Sequence, residues 1–260
     1  MGNKMVQNQY FSVLLQQNNK NKMANEEDFF IAANSVGAIN EEQYKKLDVL
    51  IHTTEAISRS LYQSVYLIDY YKKGFLYVSE NPLFLCGHTA KEMKEMGYSF
   101  YSEHVPEKEQ QMLVEINSNG FKFFETKIAA EDKHKCYISY DFHITLDGNR
   151  KVLINHKLTP ILLTKDGRIW IAMCIVSLSS QSTPGHIEFH IEGSQKYWKY
   201  DLDFHKWREK EMIQLKEEEK QVLTLCSQGL TMNEIADKMC KSIDSIKFYR
   251  RTLFEKIGTK

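Results

Sequence analysis

The chain has 260 residues, room for one regulatory domain of ordinary size plus a small second one. Its 42% hydrophobic content supplies a core, and 34 basic residues offset by 34 acidic ones exclude a protein that coats polyanions without orientation. Any affinity for nucleic acid must therefore be local.

The opening stretch, MGNKMVQNQYFSVLLQQNNKNKM, has an apolar run too short for a secretory h-region and no small-residue cleavage site. No later stretch approaches a membrane span, so the expected compartment is the cytoplasm and no membrane partner is expected. Cys86, Cys136, Cys174, Cys226 and Cys240 are scattered, odd in number and free of Cys-x-x-Cys spacing, which fits a reducing compartment and gives no zinc site.

Residues 1–61 read as an N-terminal helical segment. Within it, Glu41 to Leu61 places Tyr44, Leu47, Ile51, Ile57 and Leu61 on one stripe of an otherwise charged helix. That stripe covers a sheet in its own subunit or pairs with a second subunit.

Residues 62–180 read as a mixed domain. Ser64 to Asp69 and Phe75 to Ser79 are strands across a Lys-Lys-Gly turn, followed by a helical zone over Pro82 to Met96 and Pro106 to Asn117, with a further turn or two up to Glu131. Three strands follow, Tyr137 to Leu146, Val152 to Leu163 and Arg168 to Leu178, joined at Asp147-Gly148 and Asp166-Gly167, dipeptides that readily supply the positive φ of hairpin turns. Ile138, Tyr140, Phe142, Ile144 and Leu146 share one face of the first of these, and Ser139, Asp141, His143 and Thr145 the other. The last strand is apolar on both faces, so both should be covered.

This order resembles the PAS fold. Ile68-Asp69, Tyr77 to Asn81 and Leu85-Cys86-Gly87-His88-Thr89 stand where PAS domains show a strand ending in Ile-Asp, a Tyr-Val-Ser-x-Asn segment and a Leu-x-Gly-Tyr-Thr helix start. The resemblance covers roughly residues 62 to 178 and implies a sensor domain with a small-molecule ligand or a partner protein. His88 and His104 fall in the half where related sensors hold haem, but a surface or hydrogen-bonded histidine is the reading adopted. The Asn-Cys-Arg-Phe-Leu-Gln helix of flavin photosensors is not present, and no cofactor is expected.

Residues 181–214 read as a connector: Gly185 to Ile191 and Tyr197 to Phe204 alternate as a hairpin, and Trp207 to Leu215 returns to helix. His186, Glu188, His190 and Glu192 line one side of that hairpin. Without a second ligand cluster they read as a wet strand face, and no metal is expected.

Residues 215–260 carry three helical patterns. The first sets Val222, Leu223 and Leu225 on one face and stops at Gly229. Thr231 caps the second, with Glu234 three residues on as a capping box requires and Ile235, Ala236 and Met239 on the apolar side. Ser242 caps the third, whose Ile246, Leu253 and Ile257 face the core. From Lys241 to Lys256 five cations stand against two anions, a net of three positive charges in a neutral chain.

This segment resembles the LuxR-type DNA-binding domain, through Glu219, Val222 and Leu223, then Gly229, Leu230 and Thr231, then Glu234, Ile235 and Ala236, then Ser242, Ser245, Ile246 and Lys247. Lys241 and Tyr249 depart from the family, which commonly has Ile or Val and His there. The resemblance implies that the third helix lies in the major groove of double-stranded promoter DNA, with Ile243, Asp244, Lys247 and Arg251 reaching base edges or nearby backbone and Thr231, Ser242, Ser245 and Arg250 completing the binding set. Family members continue into a fourth helix that pairs two such domains. The sequence stops after Gly258-Thr259-Lys260, so either the chain is shortened or dimerisation is supplied elsewhere.

There is no Gly-rich phosphate loop, Gly-x-Ser-x-Gly elbow or His-Glu-x-x-His, and the order and acidic residues of a phosphoacceptor receiver are missing. The fold class expected is therefore α+β: a PAS-like antiparallel sheet with helices, followed by a small all-α helix-turn-helix domain. The function expected is a non-enzymatic, ligand-sensing transcriptional regulator that binds DNA as a homodimer, with RNA polymerase as a further partner. A signal-binding or interaction module without stable DNA binding is the alternative, and a sigma-factor-like region is disfavoured by the PAS-like half.

Overall fold

Eight strands form one sheet: β1 (Ser64–Asp69), β2 (Gly74–Val78), β3 (Cys136–Thr145), β4 (Lys151–Leu163), β5 (Ile169–Leu178), β6 (Gly185–Ile191), β7 (Lys196–Asp201) and β8 (Lys206–Glu211). Their spatial order is β2-β1-β5-β4-β3-β6-β7-β8. In the computed structural model, which describes residues 24–258, the chain divides into two compact units at Lys210–Glu211. The first five strands stand in the PAS order, 2-1-5-4-3, with β1 antiparallel to both β2 and β5.

Helices cover both faces. On one lie α3 (Pro82–Leu85), α4 (Ala90–Met96), α5 (Ser99–His104) and the long α6 (Glu107–Lys127), enclosing Tyr66, Ile68, Phe84, Met93, Phe100, Phe142, Ile144 and Ile154. Helix α6 runs unbroken through Gly120, where the sequence suggested separate turns. A Cβ there would meet Ile138 Cδ1 at 3.0 Å, so the small residue lets the helix press against β3.

On the other face the stripe from residue 41 breaks at Lys46 into α1 (Glu41–Lys45) and α2 (Leu47–Ser58). Leu47, with Tyr44, Leu50 and Ile51, packs on Leu67, Trp170 and Ile171 of β1 and β5, so this cover belongs to the same chain. Tyr44 Oη donates to Asp69 Oδ2 at 2.6 Å, while Asp69 Oδ1 accepts the backbone N–H groups of Tyr71 and Lys72 in the turn to β2. Ile57, counted on the stripe, is 47% exposed, since the face turned to the sheet carries Leu47, Thr54 and then Ser58, whose Oγ lies 2.9 Å from Tyr77 Oη, and Ile57 is one step off it.

The N-terminal helical reading needs correction at residues 26–34. These form two short 3-10 turns, Glu26–Phe29 and Ala32–Asn34, held to α6 by Asn117 Nδ2 donating to the Phe29 carbonyl at 2.7 Å and by the Ala24 N–H donating to Gln110 Oε1 at 2.9 Å. The part of the segment over residues 1–23 lies outside the described residues.

The connector also differs. Strands β6 and β7 extend the main sheet beside β3, and residues 206–211 are the strand β8 where apolar spacing suggested a helix. One side chain anchors it: Trp207 turns inward onto Phe123, Phe189 and Tyr200, while Lys206, Arg208, Glu209, Lys210 and Glu211 stay exposed. A charged outer strand also protects a sheet edge from pairing with another chain. No helix among the described residues is long and apolar enough to cross a membrane.

Candidate functional site

The second unit is built on α7 (Glu217–Ser227), α8 (Met232–Met239) and α9 (Ile243–Ile257). Val222, Ile235, Ala236 and Ile246 form its buried centre, surrounded by Leu225, Leu230, Met239 and Tyr249. Leu223 and Ile257, assigned to the core side from sequence, are 41% and 36% exposed. Leu223 is one helical step past Val222 and turns away, and Ile257 falls in the last turn.

Caps fix where the helices start. Thr231 Oγ1 accepts from the Glu234 N–H, and Glu234 Oε2 accepts from the Thr231 N–H at 2.7 Å, the reciprocal arrangement expected from the spacing. Ser242 Oγ accepts from the Ser245 N–H at 3.2 Å and lies 2.8 Å from Ser245 Oγ. The turn between α8 and α9 passes through Cys240 at φ 51°, a left-handed conformation occupied by a non-glycine residue.

One face of α9 is open. Ile243, Asp244, Lys247, Phe248 and Arg251 are all exposed along it. Lys247 Nζ lies 3.5 Å from Asp244 and Arg251 Nε lies 3.9 Å from Glu255, with every partner more than 60% exposed. Such pairs contribute little, so phosphate oxygens compete for both cations at small cost. Arg250 lies toward α8, its guanidinium over the Phe254 ring at 5.0 Å and Nη1 4.0 Å from Met232 Sδ, which brings it near Thr231 at the start of α8. Phe248, 48% exposed with Arg251 over its ring at 5.6 Å, belongs to the same surface and was missed from sequence, although its place two residues past Ile246, off the core stripe, was the signal available.

Lys256 does not belong to that surface. Its ammonium donates to Glu219 Oε2 at 2.7 Å and to the Gln214 carbonyl at 3.0 Å, while Thr252 Oγ1 donates to Glu219 Oε1 and the Lys216 N–H to Oε2. One of the five cations counted along the third helix is thus spent on joining α9 to the start of α7. The Lys256 hydrogen bond and the Lys216 N–H hold the Glu219 carboxyl down at about 2. A carboxyl depressed on folding stabilises the unit at pH above its unfolded value, about 4.5, and loses that contribution as pH falls toward 2. The thermal midpoint of this unit should therefore drop between pH 5 and 2 (roughly) in the parent chain, whereas Glu219→Gln should lower the midpoint at neutral pH and flatten its dependence across that window. Circular dichroism melts against pH read both effects.

The first unit holds a buried polar cluster of its own. On the inner face of β4, Ile154, His156 and Leu158 alternate with Asn155 and Lys157. His156 Nε2 is 2.5 Å from Tyr66 Oη, which is 2.7 Å from Tyr101 Oη, and His156 Nδ1 has no hydrogen-bond partner among the described residues. Tyr70, Tyr98 and Tyr140 stand around the same small cavity of about 20 Å³. Burial pushes the His156 imidazole down to about 3, so it is neutral near pH 7, and burial likewise raises Tyr66, Tyr101 and Tyr140 well above their ordinary range. A histidine in an inward strand position was the signal available in the sequence. His88 and His104, by contrast, contact each other, Nε2 to Nε2 at 2.9 Å, with His104 Nδ1 at 3.0 Å from the Thr145 carbonyl.

Residues 214–260 match the luxR family of bacterial regulatory proteins, GerE. No curated protein matches the chain. Among solved structures, the chain is similar to the Vibrio cholerae VqmA dimer in the absence of target DNA, at 16% identity over 85% of this chain and 83% of that one, TM-score 0.34. It is similar to phage VqmA in its complex with DPO at 15% identity, over 86% and 85% of the two chains, TM-score 0.31. The N-terminal domain of a diguanylate cyclase with PAS/PAC sensor from Marinobacter aquaeolei matches at 12% identity over 45% of this chain and 94% of that one, TM-score 0.35. Capped helices, an open cationic face and the family match agree: residues 214–260 are a helix-turn-helix DNA-binding domain of the luxR family, and they follow a sheet domain with the PAS strand order.

Proposed function

We propose that the chain is a non-catalytic transcriptional regulator whose PAS-like domain receives a small-molecule signal in its interior and thereby sets the affinity of the luxR-type domain for promoter DNA. The observation that carries the sensor half is His156 Nδ1, a polar atom buried without a partner among the described residues, beside three hydroxyl-bearing rings and a cavity. An orphaned polar atom in a core costs free energy that a hydrogen-bonding ligand recovers.

On the DNA side, Ile243, Asp244, Lys247 and Arg251 reach base edges, and Thr231, Ser242, Ser245 and Arg250 hold the backbone. The regulator acts as a homodimer reading two half-sites, a reading supported by the exposed apolar residues Val49, Ile57 and Tyr62 on and just after the cover helix. Contact with RNA polymerase follows from a place at promoters. The cytoplasm suits both the DNA target and five free cysteines.

The test fills the cavity. His156→Phe removes the orphaned nitrogen and occupies its space, and it should change the Kd of the full chain for its operator by about threefold or more, roughly 0.7 kcal/mol, although the substituted residue lies in the other unit. A folded variant with unaltered Kd would contradict control of DNA binding by this interior.

A further inference from the structure

The cover helices α1 and α2 pack on β1 and β5 and leave the outer face over β3, β4 and β6 open. That face is polar and forms a cleft of about 310 Å³. A bulge opens it. Ser139 faces Glu188 and Asp141 faces Gly185, so the register slips between them, with Gly185 and His186 both at positive φ.

At the bottom of the cleft lies Asp141, only 2% exposed. Its Oδ1 accepts from Asn155 Nδ2 at 3.1 Å and Ser179 Oγ at 2.8 Å, both neutral donors. Its Oδ2 has no donor among the described residues, and no cation lies within salt-bridge distance of either oxygen. The other acid of the cleft, Glu188, already has a hydrogen-bond partner in His190 at 3.1 Å. The second oxygen of the Asp141 carboxylate therefore opens onto the cleft without a counter-charge and attracts a cation that can hydrogen-bond to it.

The cleft wall suits the same kind of ligand. Tyr137, His190 and Tyr197 stack in series, with centroids 4.9 and 5.1 Å apart and planes within 12° of parallel. Lys157 Nζ lies 5.8 Å from the centroid of the Tyr137 ring, so an ammonium group already approaches that wall. We infer that this outer cleft is a second binding site, separate from the His156 interior, for a small organic cation. Its ammonium or guanidinium group donates to Asp141 Oδ2, and its carbon body lies on Tyr137 in place of the Lys157 side chain.

Putrescine, agmatine and tyramine serve as probes, with 1,4-butanediol as the neutral control, and binding to the full chain is measured by calorimetry and saturation-transfer NMR. At least one of the three amines should bind saturably with Kd of about 1 mM or tighter, and the diol should not. Asp141→Asn keeps the acceptor for Asn155 and Ser179 but removes the charge, and should weaken the amine about tenfold or more. Lys157→Met leaves Asp141 untouched, removes the competing cation and should tighten binding about threefold. Absence of saturable binding by all three amines would overturn the inference, as would equal binding by folded Asp141→Asn or weaker binding by Lys157→Met.

Discussion

Replacing both Lys247 and Arg251 by alanine should cost the full chain about 2 to 4 kcal/mol of operator affinity, roughly a 30- to 1000-fold rise in Kd. The two cations stand one helical turn apart on the exposed face of α9, and their intrahelical partners Asp244 and Glu255 are too exposed to hold them strongly. If each neutralises a phosphate, the slope of log Kd against log salt should also fall by about 0.9 per lost contact. If one reads a base edge instead, discrimination between operator and random DNA falls while the slope changes less. Anisotropy titrations at several salt concentrations separate these outcomes. The fold should persist, because neither side chain contributes to the centre formed by Val222, Ile235, Ala236 and Ile246.

Ile235→Ala strikes that centre. Ile235 is fully buried in a unit of about fifty residues, and truncating a buried isoleucine costs about 2 to 5 kcal/mol, a large share of what so small a core supplies. The DNA-binding unit should unfold at ordinary temperature while the sheet unit stays folded. The placement of the tryptophans makes this measurable: Trp170, Trp198 and Trp207 all precede residue 211. Tryptophan fluorescence should therefore give an unchanged denaturation midpoint in the variant, whereas far-ultraviolet circular dichroism should lose helix before that transition. Loss of both signals together would mean that the two units do not fold on separate cores.

The parts legible in the sequence are those determined by near neighbours. Thr231 with Glu234 and Ser242 with Ser245 are three residues apart, and each forms the cap its spacing implies. The Asp-Gly turns at Gly148 and Gly167 and the alternation of β3 are local in the same way. Strand β8 was not legible, because Lys-Trp-Arg-Glu-Lys-Glu has no apolar alternation beyond one tryptophan and becomes a strand only where Phe123 and Phe189 receive that ring. Contacts between distant residues were hidden for the same reason. Lys256 counts as a groove cation until the fold brings Glu219 to it, and His156 is an ordinary strand residue until β1 and α5 bring Tyr66 and Tyr101. Asp141 likewise reads as one polar residue in an alternating strand, and only the bulge opposite Gly185 leaves its second oxygen facing a cleft.

The proposed function requires that this chain bind a defined DNA sequence through α9. The most direct measurement is recovery of fragments from a genomic library by the purified full chain at near-physiological salt, repeated with Lys247→Ala/Arg251→Ala and accompanied by light scattering. The parent chain should be a dimer that enriches a two-fold symmetric motif, and the double variant should enrich none. Recovery of no motif by the parent chain, or of the same motif by the double variant, would show that α9 does not read DNA in this way.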